Sequence, residues 1–346
     1  MKYIKIIAVF FIAMSCKEKK ETVVPETDNS SITYPILEGA SIAANSEALW
    51  DIVSKEAKIE ILAEGHYWTE GPLWVEQQQM LLYTDIPRNA IYVWKEGKEA
   101  EVYLEPSGFL GENFTGGEPG ANGLLLDSEG ALVLCQHGER RMAKMNSTLD
   151  APKPSYTALV AEYNQKRFNS PNDAAYRNNG DLYFTDPPYG LPERMDDPAK
   201  ELDFQGVYRL DTEGELTLLT KEFTRPNGIA FSLDSKQLYV ANSDPEQAIW
   251  KVFEIKEDGT LGSGKLFYDA TDLVGTEKGL PDGLKVDRNG NIFATGPGGV
   301  FIFTPEGEVL GKIKTGRATS NCAFNADKSV LFITADSYIL RVKLTE

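Results

Sequence analysis

From about residue 57 onward, the apolar residues come in short runs separated by polar turns, and no stretch keeps the period of a helix. The strongest runs are Leu132-Val133-Leu134, Leu182-Tyr183-Phe184, Leu238-Tyr239-Val240, Asn291-Ile292-Phe293 and Val330-Leu331-Phe332. They are rich in β-branched and aromatic residues and bounded by Asp, Asn and Gly, as strands joined in hairpins require. Ahead of these runs a short phrase returns: Ala121-Asn122-Gly123, Pro171-Asn172-Asp173, Pro226-Asn227-Gly228 and Pro281-Asp282-Gly283. Eight residues beyond Asn122, Asn172, Asn227 and Asp282 stand Gly130, Gly180, Ser235 and Gly290, each in the polar turn before the strong run. An alternating third strand follows, as in Gly206-Val207-Tyr208-Arg209-Leu210.

Pro171, Pro226 and Pro281 are equally spaced, and a period of this order, about 40–50 residues with several short strands, marks propeller blades. Units opening near Gly71, Ala121, Pro171, Pro226, Pro281 and Thr319 predict an all-β, six-bladed β-propeller. A β-sandwich with turns at similar intervals would not restart on the same phrase.

The N-terminus follows another pattern. Lys2 and Lys5 precede the apolar stretch Ile6 to Ala13, then Met14-Ser15-Cys16 and the polar Lys17-Glu18-Lys19-Lys20-Glu21, the layout of an export signal rather than a membrane span. With Cys after Ser15, the leader resembles a bacterial lipoprotein signal, although Ala13 stands where that pattern prefers Leu. The resemblance implies cleavage before Cys16, a lipid anchor there, and a membrane-attached protein facing the periplasm; ordinary secretion is the alternative. Residues 1–16 are thus expected to be the signal. Residues 17–50, rich in Glu, Thr, Ser and Pro, read as a polar tether, and residues 51–346 as the propeller.

The formal charge is −17, and losing Lys2 and Lys5 would make the mature chain more acidic, so nucleic acid is not an expected partner. Cys135 and Cys322 fall in or beside apolar strands and are expected to be buried free thiols, although export would permit a disulfide.

In a propeller the inner strands surround a channel, so residues at equivalent strand starts converge. Glu70, in Thr69-Glu70-Gly71-Pro72-Leu73-Trp74, holds that position in the first unit, giving a ring of Glu70, Asn172, Asn227 and Asp282. Two carboxylates and two amides suit one hard divalent cation, calcium first, with magnesium, manganese or zinc as alternatives. Only His66 and His137 are present, which excludes a site built on three histidines. Taken singly, each Asn-Gly or Asp-Gly also reads as a turn. There is no Gly-x-Ser-x-Gly elbow, and Gly296-Pro297-Gly298-Gly299 lacks the Lys and Ser/Thr of a phosphate loop. His66-Tyr67-Trp68 reads as packing between blades.

Glu70-Gly71-Pro72-Leu73-Trp74, Ser170-Pro171-Asn172-Asp173, Pro226-Asn227-Gly228-Ile229-Ala230-Phe231, Pro281-Asp282-Gly283 and Thr319-Ser320-Asn321-Cys322-Ala323-Phe324 together resemble the SMP-30/gluconolactonase/regucalcin family. The resemblance implies a six-bladed propeller with one divalent metal in its channel and hydrolysis of a sugar-type lactone, with relatives that cleave organophosphates. The family's metal ligands fall on Glu70, Asn172, Asn227 and Asp282, with Asp282 also its usual catalytic base. His137-Gly138-Glu139-Arg140-Arg141 and Thr185-Asp186-Pro187-Pro188-Tyr189-Gly190 resemble the bacterial gluconolactonase branch and place His137 and Tyr189, with Asn122, near the substrate. The animal members' Arg-Phe-Asn-Asp-Gly phrase is interrupted here by Ser170-Pro171, which leaves Asn169 as a competitor to Asn172. Two other functions stay open: a lipid-anchored ligand-binding propeller with structural calcium, and a phosphoester hydrolase using the same metal. The aperiodic stretches Glu105 to Gly120 and Pro187 to Gln205 are expected to shape substrate choice.

Overall fold

Six antiparallel four-stranded units, five of them complete within consecutive stretches of sequence, form the core of the structure, a computed structural model that describes residues 32–345. The inner strands are Thr69–Val75, Ala121–Leu126, Ala174–Tyr176, Pro226–Phe231, Leu284–Val286 and Thr319–Phe324, here called the openings of blades 1 to 6. The strong runs form the second strands, such as Leu132–Gln136 and Leu182–Asp186, and Gly206–Leu210 is the third strand of blade 3. Gly130, Gly180, Ser235 and Gly290 all have left-handed backbone, with φ of 79°, 94°, 54° and 90°, as tight hairpin turns require.

Blade 6 lacks an outer strand of its own. Ile59–Ala63 supplies it by pairing antiparallel with Tyr338–Lys343, with Ile59 opposite Val342 and Ile61 opposite Leu340. The two ends of the propeller chain therefore share one sheet, which removes the open edge an unclosed ring would leave. Arg341 reinforces this seam, bonding Glu60 and Glu96 at 2.6 Å each.

The expected tether boundary at residue 50 needs correction. Ser41–Ala44 adds a fifth strand to blade 5 along Val309–Lys314, and the 3-10 turn Glu47–Asp51 buries Leu49 in the core between blades 5 and 6. The strand itself is Ser-Ile-Ala-Ala, with Ile42 packed against the core, and it was concealed by the polar stretch around it and by a pairing partner far along the chain. The expected export signal, the expected lipid anchor at Cys16 and residues 17–31 of the expected tether lie outside the described residues.

Packing follows the ring: an apolar core lies at each junction between neighbouring blades. Leu82, Ile91 and Leu104 meet Leu124, Leu132 and Leu134 between blades 1 and 2, and Tyr239 and Trp250 meet Phe301 and Phe303 between blades 4 and 5. Cys135 and Cys322 are buried free thiols in two of these cores. Burial pushes the Cys322 thiol up to about 12 and raises that of Cys135 well above its ordinary value, so both act as apolar packing groups.

Candidate active site at the channel mouth

In blades 1, 2 and 4 the opening strand bulges at the repeated phrase. Pairing jumps from Glu70 to Leu73, from Ala121 to Leu124 and from Pro226 to Ile229, each time skipping one more residue than the partner strand does. A bulge turns a side chain away from the regular alternation. In blades 3 and 5 regular pairing starts only after Asn172 and Asp282, at Ala174 and Leu284.

The glycine of the phrase has a steric cause. A Cβ on Gly71 would lie 2.1 Å from the Asn122 carbonyl oxygen, one on Gly228 would lie 2.2 Å from that of Asp282, and one on Gly123 would lie 2.8 Å from that of Asn172. Each glycine thus lets the next blade's phrase come close.

Hydroxyls, most of them near the ends of the second strands, fasten carbonyls in the opening segment of the next blade. Thr84 Oγ1 donates to Asn122 O at 3.2 Å, Thr185 Oγ1 to Asn227 O at 2.7 Å, and Thr295 Oγ1 to Ser320 O at 2.8 Å. Ser243 Oγ donates to Pro281 O, and Ser320 Oγ closes the circle onto Thr69 O at 2.6 Å. Cys135 occupies the corresponding place in blade 2, where Gly123 N instead donates to Asn172 O at 2.8 Å.

This scaffold surrounds a cavity of about 450 Å3, to which every blade contributes: Glu70, Asn122, Asn172, Asn227, Asp282 and Thr319 in chain order. The size suits a small ligand. Asn122, Asn172 and Asn227 are buried, and Asn227 Nδ2 donates to Ser243 Oγ at 2.9 Å, which leaves Oδ1 as its free end. Asn122 Oδ1, Asn227 Oδ1 and Asp282 Oδ1 are all buried without a hydrogen-bond partner. Buried polar atoms are rarely left so, and three acceptors around one cavity call for a cation or a donor.

Glu70 Oε2 accepts from Gly71 N at 2.9 Å and from Asn321 Nδ2 at 3.1 Å. Burial nevertheless raises its carboxyl above the usual range. Burial raises Asp282 well above its ordinary value too, helped by the negative charges of Glu70, Asp173 and Glu118. Two like charges held in one buried place favour their protonated forms until a positive charge joins them. No group of three His, Cys, Asp or Glu side chains among the described residues is arranged to hold a metal, so a cation here would need the amide oxygens as well.

Tyr189 also lines the cavity, its hydroxyl 3.5 Å from Ser243 O and its acidity suppressed by burial. His137 does not line it. The ring is fully buried, and its Nδ1 is 3.1 Å from Oε2 of Glu118, which does reach the cavity. Asn169 is turned into the wall, where Nδ2 donates to Asp186 O at 3.1 Å and Phe204 O at 2.9 Å. His66 is packed against Tyr83 and Tyr92, with Nε2 2.9 Å from the Tyr83 hydroxyl, while Trp68 from the same cluster faces the cavity.

Sequence reasoning missed Trp68, Glu118, Arg194, Arg225, Ser243 and Glu277 in the cavity wall. For Ser243 a signal existed, because Thr84, Thr185, Thr295 and Thr334 recur near the ends of the second strands. Glu118 and Arg194 do lie in the two aperiodic stretches singled out for substrate choice.

A closed six-bladed propeller with an oxygen-lined cavity on its axis defines the class. The chain belongs to the SMP-30/gluconolactonase/LRE-like family, whose model matches residues 68–337. It is 37% identical over 300 residues to a gluconolactonase of Zymomonas mobilis, covering 84% of this chain and 83% of that one. A lactonohydrolase, oryL, of Aspergillus oryzae is 27% identical over 216 residues, 57% of this chain and 49% of its own length. Among solved structures, a gluconolactonase from Xanthomonas campestris superimposes with a TM-score of 0.77 at 29% identity, over 90% of this chain and 98% of that one.

Proposed function

We propose that this chain hydrolyses a sugar-type lactone, with Glu70, Asn172, Asn227 and Asp282 holding one divalent cation, calcium first. The observation that carries the reading is the convergence on one cavity of two buried carboxylates and several amides, with buried oxygens lacking partners. Relatives named gluconolactonase and lactonohydrolase support the reaction class. When bound, the cation would supply Lewis-acid polarisation of the lactone carbonyl and stabilise the charge that develops on its oxygen.

The protein groups have separate tasks. Ser243 orients the Asn227 amide, and Asn321 and the Gly71 amide orient Glu70. Asn122, whose Oδ1 has no partner, accepts a substrate hydroxyl, and Tyr189 forms part of the wall that excludes water. Asp282 serves as a ligand, which leaves it a weak base, because a neighbouring dication stabilises its ionised form.

The test is hydrolysis of glucono-1,5-lactone, followed with a pH indicator, by protein stripped of metal and then given calcium, magnesium, manganese or zinc. Activity that needs an ion and disappears in folded Asn227→Ala supports the reading. A stripped enzyme as fast as the reloaded one would refute the metal role, and inactivity on a panel of lactones under every condition would refute the reaction.

A further inference from the structure

We propose that Glu118, held by His137, is the general base and then the general acid of the ring opening, an inference that rests on the lactonase reading. The cavity wall carries four carboxylates: Glu70, Glu118, Glu277 and Asp282. Glu70 and Asp282 belong to the cation site, and Glu277 is bound by Lys312 Nζ at 2.5 Å. Glu118 has no Lys or Arg partner within ion-pair distance; its hydrogen-bond partner is His137 Nδ1, at 3.1 Å, and its side chain is 26% exposed.

A carboxylate accepts but does not donate, so in this contact Nδ1 carries the proton. The ring's Nε2 is buried and bonded to nothing. The imidazole thus makes a single hydrogen bond, to Glu118, from a fully buried position, and leaving the other nitrogen unpaired there carries a cost. A ring held at such cost is a positioning device for the carboxylate in front of it.

The backbone is shaped to permit the contact. A Cβ on Gly138 would lie 2.4 Å from Pro119 O and 2.6 Å from Phe109 Cβ, so the segment bearing Glu118 sits directly on the turn after His137. On the other side, a Cβ on Gly190 would lie 3.0 Å from His137 Cβ and 2.8 Å from Ser170 Cβ. Glu118, Tyr189 and Asp282 line the same cavity, which puts the carboxylate beside the cation site rather than outside it.

The chemistry balances with water alone. As the water oxygen bonds to the carbonyl carbon, one water proton passes to Glu118. When the carbon to ring-oxygen bond breaks, Glu118 returns that proton to the leaving oxygen, giving a hydroxy acid and the starting carboxylate. Glu118 is free for this because it does not share its charge with a cation.

Glu118→Gln keeps the shape and removes the base. Its kcat on glucono-1,5-lactone should fall at least about 100-fold with KM within about threefold, while the variant stays folded and still binds calcium. In Glu118→Gly, added formate should restore part of the rate. His137→Asn, which keeps a donor near the Nδ1 position, should retain most of kcat, whereas His137→Ala should lose roughly tenfold. A Glu118→Gln enzyme within about threefold of the parent kcat, or equal rates for His137→Asn and His137→Ala, overturns the proposal while leaving the lactonase reading intact. A parent enzyme that opens no lactone overturns both.

Discussion

Two layers of the same axis are treated in opposite ways. At the mouth, Asn122, Asn227 and Asp282 each keep a buried oxygen without a partner. One residue further along the strands of blades 3 and 6, Asp173 and Asn321 replace the glycine found after Glu70, Asn122, Asn227 and Asp282, and their polar groups are mostly engaged. Asp173 Oδ1 accepts from Ala174 N at 2.9 Å, and Lys285 Nζ lies 3.9 Å from Oδ2. Asn321 Oδ1 accepts from Cys322 N at 2.9 Å and from Lys285 at 3.4 Å, while Nδ2 reaches up to Glu70. The lower layer carries its own countercharge in Lys285, although Asp173 Oδ2 is itself buried without a hydrogen-bond partner. The upper layer does not carry one, and an incomplete polar ring on a fixed base is what a receptor for a charged ligand requires.

The sharpest way to break this contrast is Asp282→Ala. If the upper ring exists for a cation, lactone opening should fall more than about 100-fold, and calcium should no longer raise the melting temperature. The metal-free variant should fold at least as well as the parent, since a buried like charge has been removed. Loss of folding without loss of calcium binding would assign the ring a structural task instead.

Acidity gives the next largest effect. With no cation present, burial raises the Glu70 and Asp282 carboxyls, so the folded chain binds protons that the unfolded chain has released. The stability they contribute is fully present below the ordinary carboxylate range and is lost as pH rises through the raised values. In chelator, the melting temperature should fall by at least about 3 °C between pH 5 and pH 8. Calcium should raise it more at pH 8 than at pH 5, because protons compete for the same oxygens. An equal calcium increment at both values would show that the cation is bound elsewhere.

Gly228→Ala tests the steric half of the argument. The added methyl would meet Asp282 O at 2.2 Å and Gly283 Cα at 2.7 Å, so blades 4 and 5 must separate locally. A destabilisation of about 1–3 kcal/mol by urea unfolding, with weakened calcium binding, is expected. A variant with unchanged stability and affinity would mean that the phrase keeps its glycine for the turn alone.

That glycine also explains why so much was legible in the chain. Where a blade must place an oxygen at the axis and admit the next blade closely, as at Glu70, Asn122, Asn227 and Asp282, these demands select an oxygen-bearing residue followed by glycine. Asn172, Asn227 and Asp282 could therefore be picked out by spacing, and Glu70 by its place at the opening of the first unit. Glu118 could not, because it sits in a Gly- and Pro-rich segment whose course is set by contacts with Gly138 and Asn89 rather than by a period. His137 was visible as a residue type, yet its place behind Glu118 depends on that same segment. The strands Ser41–Ala44 and Ile59–Ala63 were hidden differently: each completes a sheet begun some 240 or more residues away, and local sequence does not announce such a partner.

The smallest effect should come from the lower layer. Lys285→Met keeps the length of the side chain and removes the charge beside Asp173 and the donor to Asn321. Lys285 is one-third exposed and 3.9 Å from Asp173, so solvent screens the pair and about 1 kcal/mol of stability is at stake. Glu70 keeps its bonds from Gly71 and Asn321, so calcium affinity and kcat should stay within about threefold of the parent. A base that supports the ring only by being rigid tolerates this change. If Lys285→Met instead lowers calcium affinity as strongly as Asp282→Ala, the two layers form one electrostatic unit, and the division between a countercharged base and an open receptor fails.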